Sequence, residues 1–141
     1  MLAKSAFAVL LLSVFMSGCS PLRVLSSVSP IGPNESRRDI PFGGHQLALD
    51  VYSPDQDRVN PASRPVIVFL YGGSWESGAR EQYKFVASTL VRRGYVVVIP
   101  DYRLFPAVQF PEFVHDAAEA VRWTFDNIAQ YGGDPSNVFV M

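Results

Sequence analysis

The residues best suited to chemistry are Gly72, Gly73, Ser74 and Trp75, which follow Tyr71 at the end of the apolar run 66–70. Consecutive glycines admit positive φ and let main-chain N–H groups approach a substrate closely. Donors fixed in that way stabilise an oxyanion as it develops in acyl transfer, each by a few kcal/mol. Taken alone, a Gly-Gly pair is more often a tight turn. A second group, Asp101 and Arg103, follows the apolar run 95–99. An Asp and an Arg two apart at a strand end could form a buried pair holding neighbouring loops, which costs about 3–5 kcal/mol to break. A structural role for this pair is favoured over a catalytic one, and the same holds for Asp116. His45 and His115 are the only histidines. The first falls in a turn and the second near the start of a helix, so both are expected to face solvent. Neither belongs to a metal-ligand spacing.

These residues have to be placed by alternating strands and helices. Leu47, Leu49 and Val51 alternate with Gln46, Ala48 and Asp50, the period of a half-buried strand, expected at the edge of a sheet. Val66-Ile67-Val68-Phe69-Leu70 and Tyr95-Val96-Val97-Val98-Ile99 are continuous runs of β-branched and aromatic residues, as in strands covered on both faces. Between them, Tyr83, Val86, Ala87, Leu90 and Val91 form one helical stripe. After a proline-marked loop over 104–111, Val114, Ala117, Ala118, Val121, Phe125 and Ile128 share the inward face of a second helix, with Asp116, Glu119, Arg122 and Asp126 away from it. Residues 138–141 open a third buried strand. Strand, helix, strand, helix, strand implies an α/β fold with a mostly parallel sheet and flanking helices. Ligands of such sheets sit at the carboxyl ends of the strands, which puts the site at 71–75 and 101–103.

Composition narrows the function classes. Of 141 residues, 48% are hydrophobic, and 12 Lys+Arg against 13 Asp+Glu give a formal net charge of −1. That balance supplies no clustered basic charge for nucleic acid. The lone cysteine, Cys19, excludes an internal disulfide and a Cys-based zinc site. A nucleotide-binding domain is disfavoured, since no G-x-G-x-x-G opens the first helix and no phosphate-loop lysine is present. Lys4, the apolar run 6–12 with its extension Val14-Phe15-Met16, and the small residues Ser17-Gly18 describe a secretory signal peptide over 1–18. The run is shorter than the roughly 20 apolar residues of a spanning helix. Ser- and Pro-rich residues 19–38 are expected to be an extended linker, and the globular segment to occupy 39–141.

Four blocks carry a resemblance over 39–141: VIVFLYGGSW (66–75), GYVVVIPDYRL (94–104), FPEFVHD (110–116) and YGGDPSNVFVM (131–141). In this order they resemble the α/β-hydrolase superfamily, specifically its esterase/lipase group with an H-G-G-x-W oxyanion loop. The resemblance implies a serine esterase working through an acyl-enzyme, without a cofactor, on carboxylic esters. Small soluble esters are the default; formamides and feruloyl or acetyl esters of polysaccharide are the other classes. It implies oxyanion donation by the backbone N–H groups of Gly73 and Ser74, with Trp75 beside the pocket, Tyr71 where many relatives have His, and Asp101 and Arg103 supporting the loop. The family's nucleophile, acid and histidine come later than Met141, so the chain reads as an N-terminal part of the fold, with residues 19–141 inactive alone. The alternative is a non-catalytic lipoprotein module keeping half of the hydrolase fold. Met16-Ser17-Gly18-Cys19 similarly resembles a bacterial lipobox. That implies lipid on Cys19, export, and tethering to a cell-envelope membrane.

Overall fold

The computed structural model describes residues 34–54 and 64–141. In it a mixed sheet is built from β1 (Asn34–Phe42), β2 (Leu47–Pro54), β3 (Arg64–Val68), β4 (Val96–Pro100) and β5 (Gly133–Val140). Helix α1 (Lys84–Val91) follows a 3₁₀ turn over Arg80–Tyr83, and α2 (Glu112–Asn127) runs on into a second 3₁₀ turn, Ile128–Tyr131. The strand order is β1-β2-β4-β3-β5. β1 and β2, and β2 and β4, are antiparallel, whereas β3 is parallel to both β4 and β5. The α/β class and the strand–helix alternation follow the sequence pattern, with an antiparallel pair added at one side.

Side chains along β4 alternate between two cores, as the pleat requires. Val96 and Val98 pack with Leu49, Val51, Val66 and Ile128 on one face. Val97 and Ile99 pack with Ala87, Val91 and three tyrosines, Tyr52, Tyr71 and Tyr102, on the other. β-Branched residues suit such central strands because their stiff side chains fit the pleated surface.

Four sequence expectations are corrected. The sheet starts at Asn34, inside the stretch that composition assigns to a linker, because residues 34–42 pair with β2. β2 lies inside the sheet, flanked by β1 and β4, and Asp50 is 2% exposed where a half-buried strand would turn it to solvent. The inward face of α2 carries Phe113, Asp116, Ala117, Ala120 and Thr124; Val114 and Phe125 are exposed. Periodicity misplaced this face because small and polar residues, Ala120, Thr124 and Asp116, occupy its most buried positions. β5 lies at the outer edge among the described strands, with Phe139 and Val140 exposed.

The placement of α2 is testable. Ala120→Leu is expected to cost about 1–3 kcal/mol through overpacking, while Val114→Ala changes stability by less than about 0.5 kcal/mol, as exposed substitutions do. Urea denaturation midpoints check both; a larger loss at Val114 would restore the face read from periodicity.

Candidate active site

β3 and β4 are parallel neighbours, so the segments leaving their carboxyl ends emerge at one rim of the sheet. Leu70, Tyr71, Gly72, Gly73, Ser74, Trp75, Tyr102 and Met141 line a cleft of about 310 Å³ there. The segment 71–75 and Tyr102 thus meet at this rim.

The loop conformation is unusual and firmly held. Gly73 has φ +148°, and Ser74 and Trp75 have φ +57° and +63°. The left-handed region costs a non-glycine residue roughly 1–2 kcal/mol, so neighbours must impose it. The Gly73 carbonyl accepts the N–H of Glu76 at 3.0 Å and of Ser77 at 3.2 Å, and the Phe105 N–H donates to the Trp75 carbonyl at 2.8 Å. The Trp75 ring stacks on Phe113 at 4.7 Å and tilts against Tyr102 at 5.0 Å. Only glycine fits at 73, because a Cβ there would lie 2.0 Å from the Ser77 carbonyl oxygen. Among the described residues, no hydrogen bond engages the N–H of Gly73 or Ser74.

Beneath the loop three tyrosine rings form a stack. Tyr71 lies between Tyr102 at 4.5 Å and Tyr83 at 5.4 Å, with interplanar angles of 22° and 12°. Gly78 permits this, since a Cβ there would meet the Tyr71 ring at 2.7 Å. The Tyr71 hydroxyl donates to Asp101 Oδ1 at 3.2 Å. The Tyr102 hydroxyl donates to the Tyr71 carbonyl, and the Tyr83 hydroxyl to the Gly72 carbonyl at 3.1 Å. Burial, with the adjoining Asp101 carboxylate, pushes the Tyr71 phenol far above its ordinary range. Burial, with Tyr83 and Asp101, pushes Tyr102 up to about 12.

Asp101 and Arg103 do not pair with each other. The Asp101 carboxylate receives the Arg80 N–H at 3.0 Å and the Arg80 guanidinium, whose other nitrogens reach Asp50 Oδ1 at 3.0 Å and the Asp39 carboxylate. Arg103 instead turns to α2. Its Nη2 lies 2.7 Å from Asp116 Oδ1, and its Nε and backbone N–H meet Asp116 Oδ2 at 2.9 and 3.0 Å. Asp116, expected on the solvent side, is 1% exposed. Asp101 and Arg103 have separate partners because each meets an opposite charge on a different element, Asp101 the arginine that opens the turn before α1 and Arg103 the buried carboxylate of α2. Sequence reasoning missed Arg80, Asp50, Tyr83 and Tyr102 as supports of the loop. Arg80 offered no spacing signal, because the carboxylates it hydrogen-bonds stand 21, 30 and 41 residues away. His45 and His115 are exposed, as expected. Among the described residues no cluster of three or more His, Cys, Asp or Glu side chains is placed to hold a metal ion. Cys19 and the signal-peptide reading lie outside the described residues.

A profile of the BD-FAE family matches residues 49–141. The chain belongs to the BD-FAE family, in the α/β-hydrolase superfamily. This BD-FAE chain is 32% identical over 142 residues to a probable isoprenylcysteine alpha-carbonyl methylesterase of Arabidopsis thaliana, a match covering 100% of the chain and 31% of the plant protein. It is 38% identical over 95 residues to a carboxylesterase of Mycobacterium tuberculosis, covering 67% of the chain and 29% of that protein. Among solved structures, a hyperthermophilic esterase from the archaeon Pyrobaculum calidifontis superposes with a TM-score of 0.69 at 32% identity, covering 84% of this chain and 37% of the esterase. The BD-FAE chain therefore spans under a third of the length of these two sequence relatives.

The Arg103–Asp116 contact has a pH signature. Burial opposes ionisation of Asp116, but hydrogen bonds from the Arg103 side chain and backbone, with its charge, hold the carboxyl below its usual range. A carboxyl depressed in the folded state contributes stability above its unfolded pKa of about 4, and loses it as pH falls through the folded value. Asp116→Asn should therefore be less stable than the parent at pH 7, with the gap closing below about pH 4. Urea midpoints between pH 3 and 7 measure this; a gap independent of pH would remove the linkage.

Proposed function

We propose that this protein is a carboxylic ester hydrolase in which the N–H groups of Gly73 and Ser74 receive the oxyanion of the tetrahedral intermediate. The observation that carries the reading is a pair of successive amides, without hydrogen-bond partners among the described residues, at the rim of a cleft. Gly73 is part-exposed and Ser74 exposed, so both amides stand open at the cleft to an acceptor that arrives with substrate. When a nucleophile adds to an ester carbonyl, its electron pair moves onto the carbonyl oxygen. Fixed amide dipoles stabilise that charge without reorganising, the usual source of large rate effects in acyl transfer. A cleft of about 310 Å³ is at the small end of ligand pockets and favours small soluble esters.

In this reading the acyl-enzyme forms on a serine that follows Met141, with an acid and a histidine later still, in the order the superfamily resemblance implies. Neither His45 nor His115 serves as base: both are exposed, and neither is hydrogen-bonded to a serine among the described residues. Residues 19–141 by themselves are expected not to hydrolyse p-nitrophenyl acetate. Trp75, Tyr71, Asp101 and Arg103 act as supports of the loop and its surroundings. Lipid on Cys19 would tether the exported enzyme to a membrane of the cell envelope; Cys19→Ser is expected to abolish lipid labelling and release the protein from membranes.

The oxyanion assignment is tested in the intact gene product. Gly73→Val forces a side chain against the Ser77 carbonyl and is expected to lower kcat at least about tenfold, within the range seen when oxyanion donors are lost. Steady-state kinetics with p-nitrophenyl acetate provide the measurement, with circular dichroism confirming the fold. Wild-type kcat would remove the assignment.

A further inference from the structure

We propose that Tyr83 is a positioning residue for the oxyanion site: its hydroxyl holds the Gly72 carbonyl so that the Gly73 N–H faces the cleft. This rests on the reading of Gly73 and Ser74 as oxyanion donors. The peptide bonds 72–73 and 73–74 are trans, and in a trans peptide the C=O and N–H point in opposite directions. Whatever grips the carbonyl therefore aims the amide of the same unit. In the first unit the Gly72 carbonyl accepts the Tyr83 hydroxyl at 3.1 Å, and the amide so aimed belongs to Gly73. In the second, the Gly73 carbonyl accepts the N–H groups of Glu76 and Ser77 and, at 3.4 Å, the Ser77 hydroxyl; the amide so aimed belongs to Ser74.

The two units are secured differently. The chain's own turn fixes the second, whereas a single side-chain hydroxyl fixes the first among the described residues. A hydrogen bond accepted by a carbonyl also polarises its peptide unit, which strengthens the N–H as a donor. Tyr83 can hold this position because its ring is set independently of its hydroxyl. It packs 5.4 Å from Tyr71, 5.5 Å from Phe69 and 6.3 Å from Phe85. Replacing Tyr83 by Phe takes away the oxygen and keeps those contacts.

The experiment compares the intact gene product with its Tyr83→Phe and Gly73→Val variants, using p-nitrophenyl acetate turnover, Tm, and inhibition by a trifluoromethyl ketone. The adduct of that ketone with the nucleophile places an oxyanion in the site. Tyr83→Phe is expected to lower kcat roughly threefold to tenfold, the worth of one neutral hydrogen bond. KM and Tm should stay unchanged, and ketone inhibition should weaken by the same factor as kcat. A lower kcat accompanied by raised KM and lowered Tm would assign Tyr83 to the scaffold and overturn the proposal. Wild-type kcat in Tyr83→Phe beside an impaired Gly73→Val overturns the role of Tyr83 and leaves the oxyanion reading standing. Wild-type kcat in Gly73→Val overturns both, whatever Tyr83→Phe does.

Discussion

A guanidinium that water scarcely reaches must be neutralised by what surrounds it, and in this chain that requirement decides how three separate stretches meet. Arg80 is 8% exposed, and its hydrogen-bonded partners are Asp39, Asp50 and Asp101, with Glu81 3.6 Å away. Asp39 lies where the β1–β2 register shifts and adopts φ +56°. Its N–H is in turn held by Asp50 Oδ1 at 3.1 Å. Breaking the buried Arg80–Asp50 pair costs about 3–5 kcal/mol, whereas Asp39, 77% exposed, is the solvent-facing member of the group. Because Arg80 opens the turn that leads into α1, its pairing also fixes where that turn begins.

The carboxylate of Asp101 passes this constraint on to the rim of the sheet. It is anchored by Arg80 on one side and receives the Tyr71 hydroxyl on the other. Tyr71 is then the middle ring of a stack whose outer members donate to successive carbonyls, those of Tyr71 and Gly72. Aromatic stacking orients the rings, and the hydroxyls convert that orientation into backbone geometry. An ion cluster centred on the buried Arg80 thus bears, through one phenol, on the path of a loop whose own sequence contains only small and flexible residues before Trp75.

The central strands are legible in the sequence because Val66–Val68 and Val96–Ile99 are covered on both faces, which leaves a continuous apolar signature. The loop at 71–75 was marked by its place directly after such a strand together with the resemblance of the blocks around it, since paired glycines alone are more often a tight turn. Residues 34–38 were not legible as strand: Asn34-Glu35-Ser36-Arg37-Arg38 is polar throughout, as an edge strand can be, and β1 is recognised only by its partner β2. The wrong pairing of Asp101 with Arg103 came from nearness in sequence; the actual partners, Arg80 and Asp116, stand on other elements. Long-range ion pairs leave no periodic trace, and buried Asp50 and Asp116 look like surface residues until the fold supplies their arginines.

Tyr71 occupies a place where many members of the resembling group carry an imidazole. Histidine changes its charge between about pH 5 and 8, so a loop moored by one feels mild acidification directly. A phenol displaced upward by burial remains a neutral donor across that whole interval, and so does its neighbour Tyr102. Tyrosine at this position makes the mooring indifferent to the acidity of the surroundings.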